Sequence, residues 1–320
     1  MLPETRATFP CAATYSNVLR TGDPAQVNQL LMDLLTRVSA QKRLPEDQSH
    51  VVLDGKTLRA PLHHLAEDQR PMHHMTLYEA KTAIVLKEAM VAEHANELTH
   101  LNLFLTPVLL QGRIIRADAL YRHHRFCQEV RAAAADYLLV VKHNQPPLDE
   151  ALSLFFHQPP PDGRDWRTDS LSNKGHGRLE TRMLWASTEL NDFLAHDWYG
   201  VEQVFCLRRR VEHARTCRQE IVYGISSLPP NKADPPRLLA LKREHWAMEN
   251  RLHYRRDGAL AEDACQVRKE AAPHVLAVLH SFVLALFDWC QITNVKQHMR
   301  CIDAHPLQAV HLLLKSLQEN

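Results

Sequence analysis

Three carboxylates stand out by their settings. Asp54 closes the apolar run Val51-Val52-Leu53 and is followed by Gly55; Asp118 closes Ile114-Ile115-Arg116-Ala117; Glu249 lies in the helical stretch 243–257, REHWAMENRLHYRRD. Acids at the carboxyl ends of neighbouring strands converge on the edge of a sheet where open α/β sites form. Three hard oxygen ligands suit Mg2+, which takes one or two carboxylates per ion and leaves positions for water and phosphate oxygens. Two ions roughly 3.5–4 Å apart activate a water or 3′-hydroxyl and neutralise the leaving oxygen of a phosphodiester, so no His or Lys base is needed. In that scheme Asp54 bridges both ions, Asp118 holds one and Glu249 the other. Each acid alone has a plainer reading. Asp-Gly after a strand is commonly a turn, an Asp ahead of a helix an N-cap, and a lone helical Glu a surface residue. It is the three together, in strand-strand-helix order, that point to a metal site.

The surrounding pattern supplies elements to hold them. Residues 24–43 carry Val27, Leu30, Leu31, Leu34, Leu35 and Val38 at three-and-four spacing, an amphipathic helix with Asp23 and Pro24 at its start. Period-two and short apolar runs follow at 51–54, 75–78 and 83–91, then a helical stretch at 96–110. A strand at 113–118, a helix at 122–134 and the strand Tyr137-Leu138-Leu139-Val140-Val141 come next. The order β-β-β-α-β-α-β predicts an α/β fold with a mixed sheet whose last strands are parallel and buried. Few folds combine three sequential strands with βαβ crossovers, and the RNase H-like core leads among them. Residues 157–175 are rich in Pro, Gly and Asp and read as a loop. Runs at 179–185, 201–207 and 221–225 then make a β-rich insertion, closed by Pro229, Pro230, Pro235 and Pro236, and the pattern is helical from 237 onward. The expected division is an N-terminal helical segment (1–45), the first part of the core (46–156), the β-rich insertion (157–236) and a helical part completing the core (237–320).

Composition narrows the class. Hydrophobic residues make up 45% and charged residues 23% of 320, as in a globular protein rather than a disordered or fibrous one. No uninterrupted apolar run reaches the ~18 residues of a membrane span, and the start MLPETRATFP lacks a signal-peptide core. Seven scattered cysteines without a C-x-x-C argue against a disulfide framework or zinc module and for a reducing compartment, so a cytoplasmic location is expected. The 21 histidines, several in pairs, show no H-E-x-x-H spacing and read as solvated surface. The net charge of +1 does not announce a polyanionic partner, but Arg208-Arg209-Arg210 and the group Arg251, Arg255, Arg256 are local basic clusters.

At the acids and between them, the sequence resembles the H-repeat-type branch of DDE insertion-sequence transposases. The matching stretches are 51–59 (VVLDGKTLR), 76–82 (TLYEAKT), 113–120 (RIIRADAL), 136–145 (DYLLVVKHNQ), 175–182 (GHGRLETR) and 243–263 (REHWAMENRLHYRRDGALAED), in order across residues 10–315. The resemblance implies Asp54, Asp118 and Glu249 as the catalytic, metal-holding acids, an RNase H-like fold, and Mg2+ as cofactor with Mn2+ able to substitute. It implies cleavage and strand transfer at the element's terminal inverted repeats into target DNA, with a homodimer pairing two ends. The family carries a further N-terminal helical segment ahead of the region where Met1 begins here, which makes the chain look N-terminally shortened. Related transposases also carry Y-x2-R-x3-E-x6-K around the third acid. Here those positions hold Lys242, His245, Glu249 and Arg256, and of the flanking three only the last keeps its charge type. Two alternatives stay open: an inactive or domesticated DNA-binding relic, and a metal-dependent nuclease of the same fold.

Basic and aromatic side chains around the acids are candidate DNA contacts. Arg251, Arg255 and Arg256 follow Glu249, Lys56 and Lys142 sit at strand ends, and Arg178 lies in the GHGRLE stretch beside Glu180. Trp246, one turn ahead of Glu249, is a candidate platform for a flipped base, though burial of the helix's core face with Leu252 is the plainer role. Asn250 and His253 flank Glu249 as candidate supporting groups.

Overall fold

The computed structural model describes residues 10–39, 49–57, 72–92, 100–118, 124–141, 145–157, 165–175, 177–214, 216–267 and 269–318. In chain order its elements begin with α1 (Ala12–Thr21), α2 (Pro24–Ser39), β1 (His50–Thr57), β2 (Met72–Glu79), β3 (Ile84–Ala92), α3 (Pro107–Leu110), β4 (Ile114–Asp118), α4 (His124–Ala132) and β5 (Asp136–Val141). There follow α5 (Pro146–His157), β6 (Arg167–Gly175), β7 (Arg178–Ser187), α6 (Asn191–Leu194), β8 (Gln203–His213), β9 (Thr216–Ser226) and α7 (Pro235–Met248). After a π turn at Glu249–His253 come α8 (Tyr254–Ala259), a 3-10 turn (Glu262–Ala264), α9 (Ala272–Trp289), α10 (Val295–Ala304) and α11 (Leu307–Gln318). The chain divides into two compact units: one takes 44–54 and 96–248, the other 1–43, 55–95 and 249–320.

The first unit is built on a mixed sheet in which the β1 residues of the unit, then β4, β5, β9, β8, β7 and β6, lie side by side. β1, β4 and β5 are parallel, with His50 opposite Ile114 and Leu53 opposite Ala117, and Ile114 opposite Asp136. These strands are near-continuous apolar runs because both faces are covered; Val51, Val52, Leu53, Ile115 and Tyr137 are all 0% exposed. Burying such side chains contributes ~1.5–3 kcal/mol each. β9 joins β5 antiparallel over Leu138–Val141, and β8, β7 and β6 follow as antiparallel neighbours. The strands expected as an insertion thus extend the same sheet. Helix α7 covers this part, setting Leu238, Leu239 and Leu241 against Leu184, Phe205 and Leu207.

One glycine is fixed by close packing. A Cβ on Gly224 of β9 would stand 2.2 Å from the Phe205 ring and 2.6 Å from the Leu139 carbonyl oxygen. Both neighbours are buried strand residues with no room to retreat. Gly224→Ala is therefore expected to destabilise by ~1–3 kcal/mol or more, as overpacking does, and thermal unfolding followed by circular dichroism checks it.

The second unit centres on the hairpin β2–β3, paired from Met72 opposite Ala92 to Glu79 opposite Ile84 with a register shift at Leu77/Tyr78. Helix α9 lays Phe282, Ala285 and Leu286 against Ile84, with Leu31 of α2, Leu86 and Leu312 of α11 packed around them. By length and composition α9 is the one described helix that is apolar enough to cross a membrane, and 61% of it is buried within the fold. This differs from the sequence expectation of no such stretch, since Pro273, His274, His280, Ser281 and Asp288 interrupt the run without lowering its average below the threshold.

Other local differences have plain causes. The helix expected over 96–110 is, in its described part, a turn at His100–Leu101 and the four-residue α3; Pro107 supplies no N–H and holds Thr106 extended (ψ 147), so α3 starts afresh there. β6 was expected as loop. Its residues RTDSLSNKG hold one large apolar side chain, Leu171, but its backbone pairs with β7 along its whole length. Asp23 does accept the Ala25 N–H at 2.9 Å at the start of α2, and the seven cysteines are all unpaired.

Candidate active site

Two of the three acids meet at one register step. Leu53 stands opposite Ala117 on parallel strands, so Asp54 and Asp118 are each the next residue along, both at the carboxyl ends of β1 and β4. Neighbouring strands run about 4.8 Å apart. Asp54 is half-buried, directly after three fully buried residues. Two hard carboxylates carried at this spacing fit a divalent cation with a preference for oxygen, and do not fit a soft metal. Among the described residues no group of three His, Cys, Asp or Glu side chains forms a ready metal cluster. The side chains of Lys56, Asp118, Trp246, Glu249 and Asn250, and the whole of Lys142, lie outside the described residues.

The backbone at Glu249 is unusual. The helical pattern 238–252 reads as continuous, but α7 ends at Met248 and Glu249–His253 form a π turn before α8 begins. One extra residue per turn costs hydrogen-bond geometry, and such turns recur at functional sites.

Residues 45–286 match the family of the transposase DDE domain. The chain belongs to this family. The match spans Asp54, Asp118 and Glu249. The "H repeat-associated putative transposase YhhI" of Escherichia coli K12 is 25% identical over 279 residues, covering 84% of this chain and 71% of its own length. The "Putative transposase YncI" of Escherichia coli O157:H7 is 26% identical over 252 residues, covering 77% of this chain and 63% of its own.

In this DDE-domain chain the basic residues after Glu249 divide sharply. Arg251 is exposed, with Nη1 3.5 Å from the Ala80 carbonyl oxygen. Arg255 is largely buried and donates to Asp288 at 2.6 Å. The two guanidinium groups oppose, without cancelling, the effect of burial and of Asp288, which push the buried Tyr78 phenol well above its ordinary value. Arg256 is fully buried: it donates to both Glu262 oxygens at 2.6–2.9 Å, to Glu88 at 3.2 Å and to Ser281 at 3.1 Å. The expected phosphate contact from Arg256 is corrected on that ground. Its donors are spent on two carboxylates inside the second unit, where a phosphate cannot reach without opening the core.

Burial would raise the Glu88 carboxyl, but His74, Arg256 and Ser281 outweigh it and hold it below the usual glutamate value. In the first unit Arg178 is exposed at the start of β7, and Glu180 beside it is buried. Burial again would raise Glu180, yet the hydrogen bond from Arg209 and the charges of Arg182, Arg209 and Arg178 keep it low. His253 is buried beside the π turn.

The sequence concealed the buried Arg256 network and the π turn. Arg255-Arg256-Asp257 looks like a solvated charge run, because Glu88 lies 168 residues away in the chain.

Proposed function

We propose that the chain is the catalytic protein of a bacterial insertion sequence, a DDE transposase that cleaves the element's DNA ends and joins them to target DNA on an RNase H-like core. The observation that carries this reading is the pair Asp54 and Asp118 at one register step on adjacent parallel strands, in a chain of the DDE family. The names of the relatives, tied to H repeats, support an insertion-element origin. Asp54, Asp118 and Glu249 would hold Mg2+, or Mn2+ in its place. When bound, the metal supplies Lewis-acid activation of the attacking water or 3′-hydroxyl and charge neutralisation at the leaving oxygen. The chain's own part is to fix the three carboxylates and to seat the DNA.

In this reading Arg178 and Arg251, both exposed, and Lys56, Lys142 and Trp246 contact the DNA near the acids, and Arg255 contributes while tied to Asp288. Asn250 and His253 support Glu249. Bringing two element ends together calls for at least two copies of the chain, so a homodimer is the working assembly.

The test is nicking of a labelled duplex that carries the element's own ends. Cleavage at the end in Mg2+, lost on chelation and restored by Mn2+, is the expected result. End binding with no cleavage in either metal would overturn the catalytic assignment and leave a DNA-occupying protein.

A further inference from the structure

The far end of the β6–β9 sheet has a charge balance unlike the rest of the chain. The whole protein carries a net charge of +1. Strands β7, β8 and β9 run on beyond their junction with β5, which reaches only Tyr223–Ser226 of β9. On this extension Arg182 and Arg209 are neutralised by Glu180 and Glu220. Lys174, Arg178, Arg208, Arg210 and Arg218 remain, all exposed, against Glu212 as the one further described carboxylate there. Glu212 pairs with Arg210 at 2.7 Å, and Arg208 lies 5.3 Å from the Trp185 ring centroid. Lys174 and Arg218 have no ion pair among the described residues.

These charges gather around a shallow hollow of about 600 Å3 at the hairpin tips, lined by Lys174, Arg178, Arg210, Glu212, His213 and Cys217. Gly177, at φ +71, makes the turn between β6 and β7 without a side chain on the rim. Lys174, Arg178, Arg210 and Arg218 come one from each of four adjacent strands. Three strand spacings place them across about 14 Å. A single phosphate has no use for cations spread so widely. A backbone with one charge per roughly 3.4 Å of axis along each strand meets several of them at once.

We propose that this hollow and its basic rim form a DNA-backbone anchor, binding duplex DNA through its phosphates without reading sequence. It takes from the proposed function only the choice of DNA as the polyanion, and it assigns the strand extension a holding role separate from the acids.

The full-length chain carries its own reporter. Cys217 lies exposed in the hollow, while Cys11 and Cys301 are exposed in the second unit. Duplex DNA is expected to slow alkylation of Cys217, resolved by peptide mass spectrometry, with Cys11 and Cys301 unchanged as internal controls. In fluorescence anisotropy the double variant Lys174→Gln/Arg218→Gln is expected to bind unrelated duplexes several-fold more weakly. Its log K against log salt slope should be shallower by about 1.8, at ~0.9 per lost contact. Unchanged affinity and slope, with Cys217 reacting equally fast with and without DNA, would overturn the proposal. The two readings fail separately. End cleavage with Cys217 unprotected sinks the anchor and leaves the transposase; Cys217 protection without cleavage does the reverse.

Discussion

Asp54→Asn is expected to lower end cleavage by ~10^3-fold or more, because a carboxylate that bridges two metal ions carries several kcal/mol of transition-state stabilisation. The fold should survive. Asp54 is half-buried at the end of its strand, and the three core residues before it are untouched. DNA affinity should hold or rise slightly, since the substitution removes a negative charge that repels phosphate. The measurement is a single-turnover nicking assay paired with an anisotropy titration on the same duplex. Asp118→Asn and Glu249→Gln should behave alike, with effects that are far from additive in combination, as for residues acting as one unit. A variant that cuts at the wild-type rate would remove its residue from the site. If cleavage and binding fell together, the residue would belong to DNA seating instead.

Arg256→Met should produce the largest loss of stability. Taking the guanidinium away leaves Glu88 and Glu262 buried beside each other's former partner. Breaking a buried pair from one side costs about 3–5 kcal/mol, or a fall in Tm of roughly 10 °C for a chain of this size. The pH dependence has a definite sign. In the wild type Glu88 is held below its unfolded value of about 4.3. Its contribution is therefore present above that pH and lost as pH falls through the lower, folded value. In the variant, burial prevails and raises the Glu88 carboxyl, with only His74 at 3.2 Å and Ser281 to oppose it. His274 and His280, the other titratable groups facing the cluster, are on α9. The Tm gap between the two proteins should thus be widest near neutrality and narrow below about pH 4. A gap independent of pH would mean that packing, not charge, accounts for the loss.

The parallel strands were legible in the sequence because strands covered on both faces are written as apolar runs: VVL, IIRA and YLLVV, all buried. The acids that end two of those runs followed from the same pattern, and the shared register step is what parallel pairing makes of it. Arg256 was illegible for the opposite reason. Its partners are supplied by β3, the 3-10 turn and α9, and nothing in its own neighbourhood marks it as internal. The π turn leaves no trace because the helical periodicity on either side of it is satisfied separately. β6 escaped because a strand can be held by backbone pairing to one neighbour while its side chains stay polar.

That polar strand has a further consequence, for the protein in bulk. β6 ends the order of strands in its sheet and pairs only with β7 among the described residues. A long unpaired edge is a template on which a second molecule can add its own strand, the first step towards intermolecular aggregation. Here the edge carries Arg167, Asp169 and Lys174, with Leu171 its one large apolar side chain. Docking another strand would strip water from three charges in return for little apolar contact, so concentrated preparations should stay clear of fibrillar assembly through this edge.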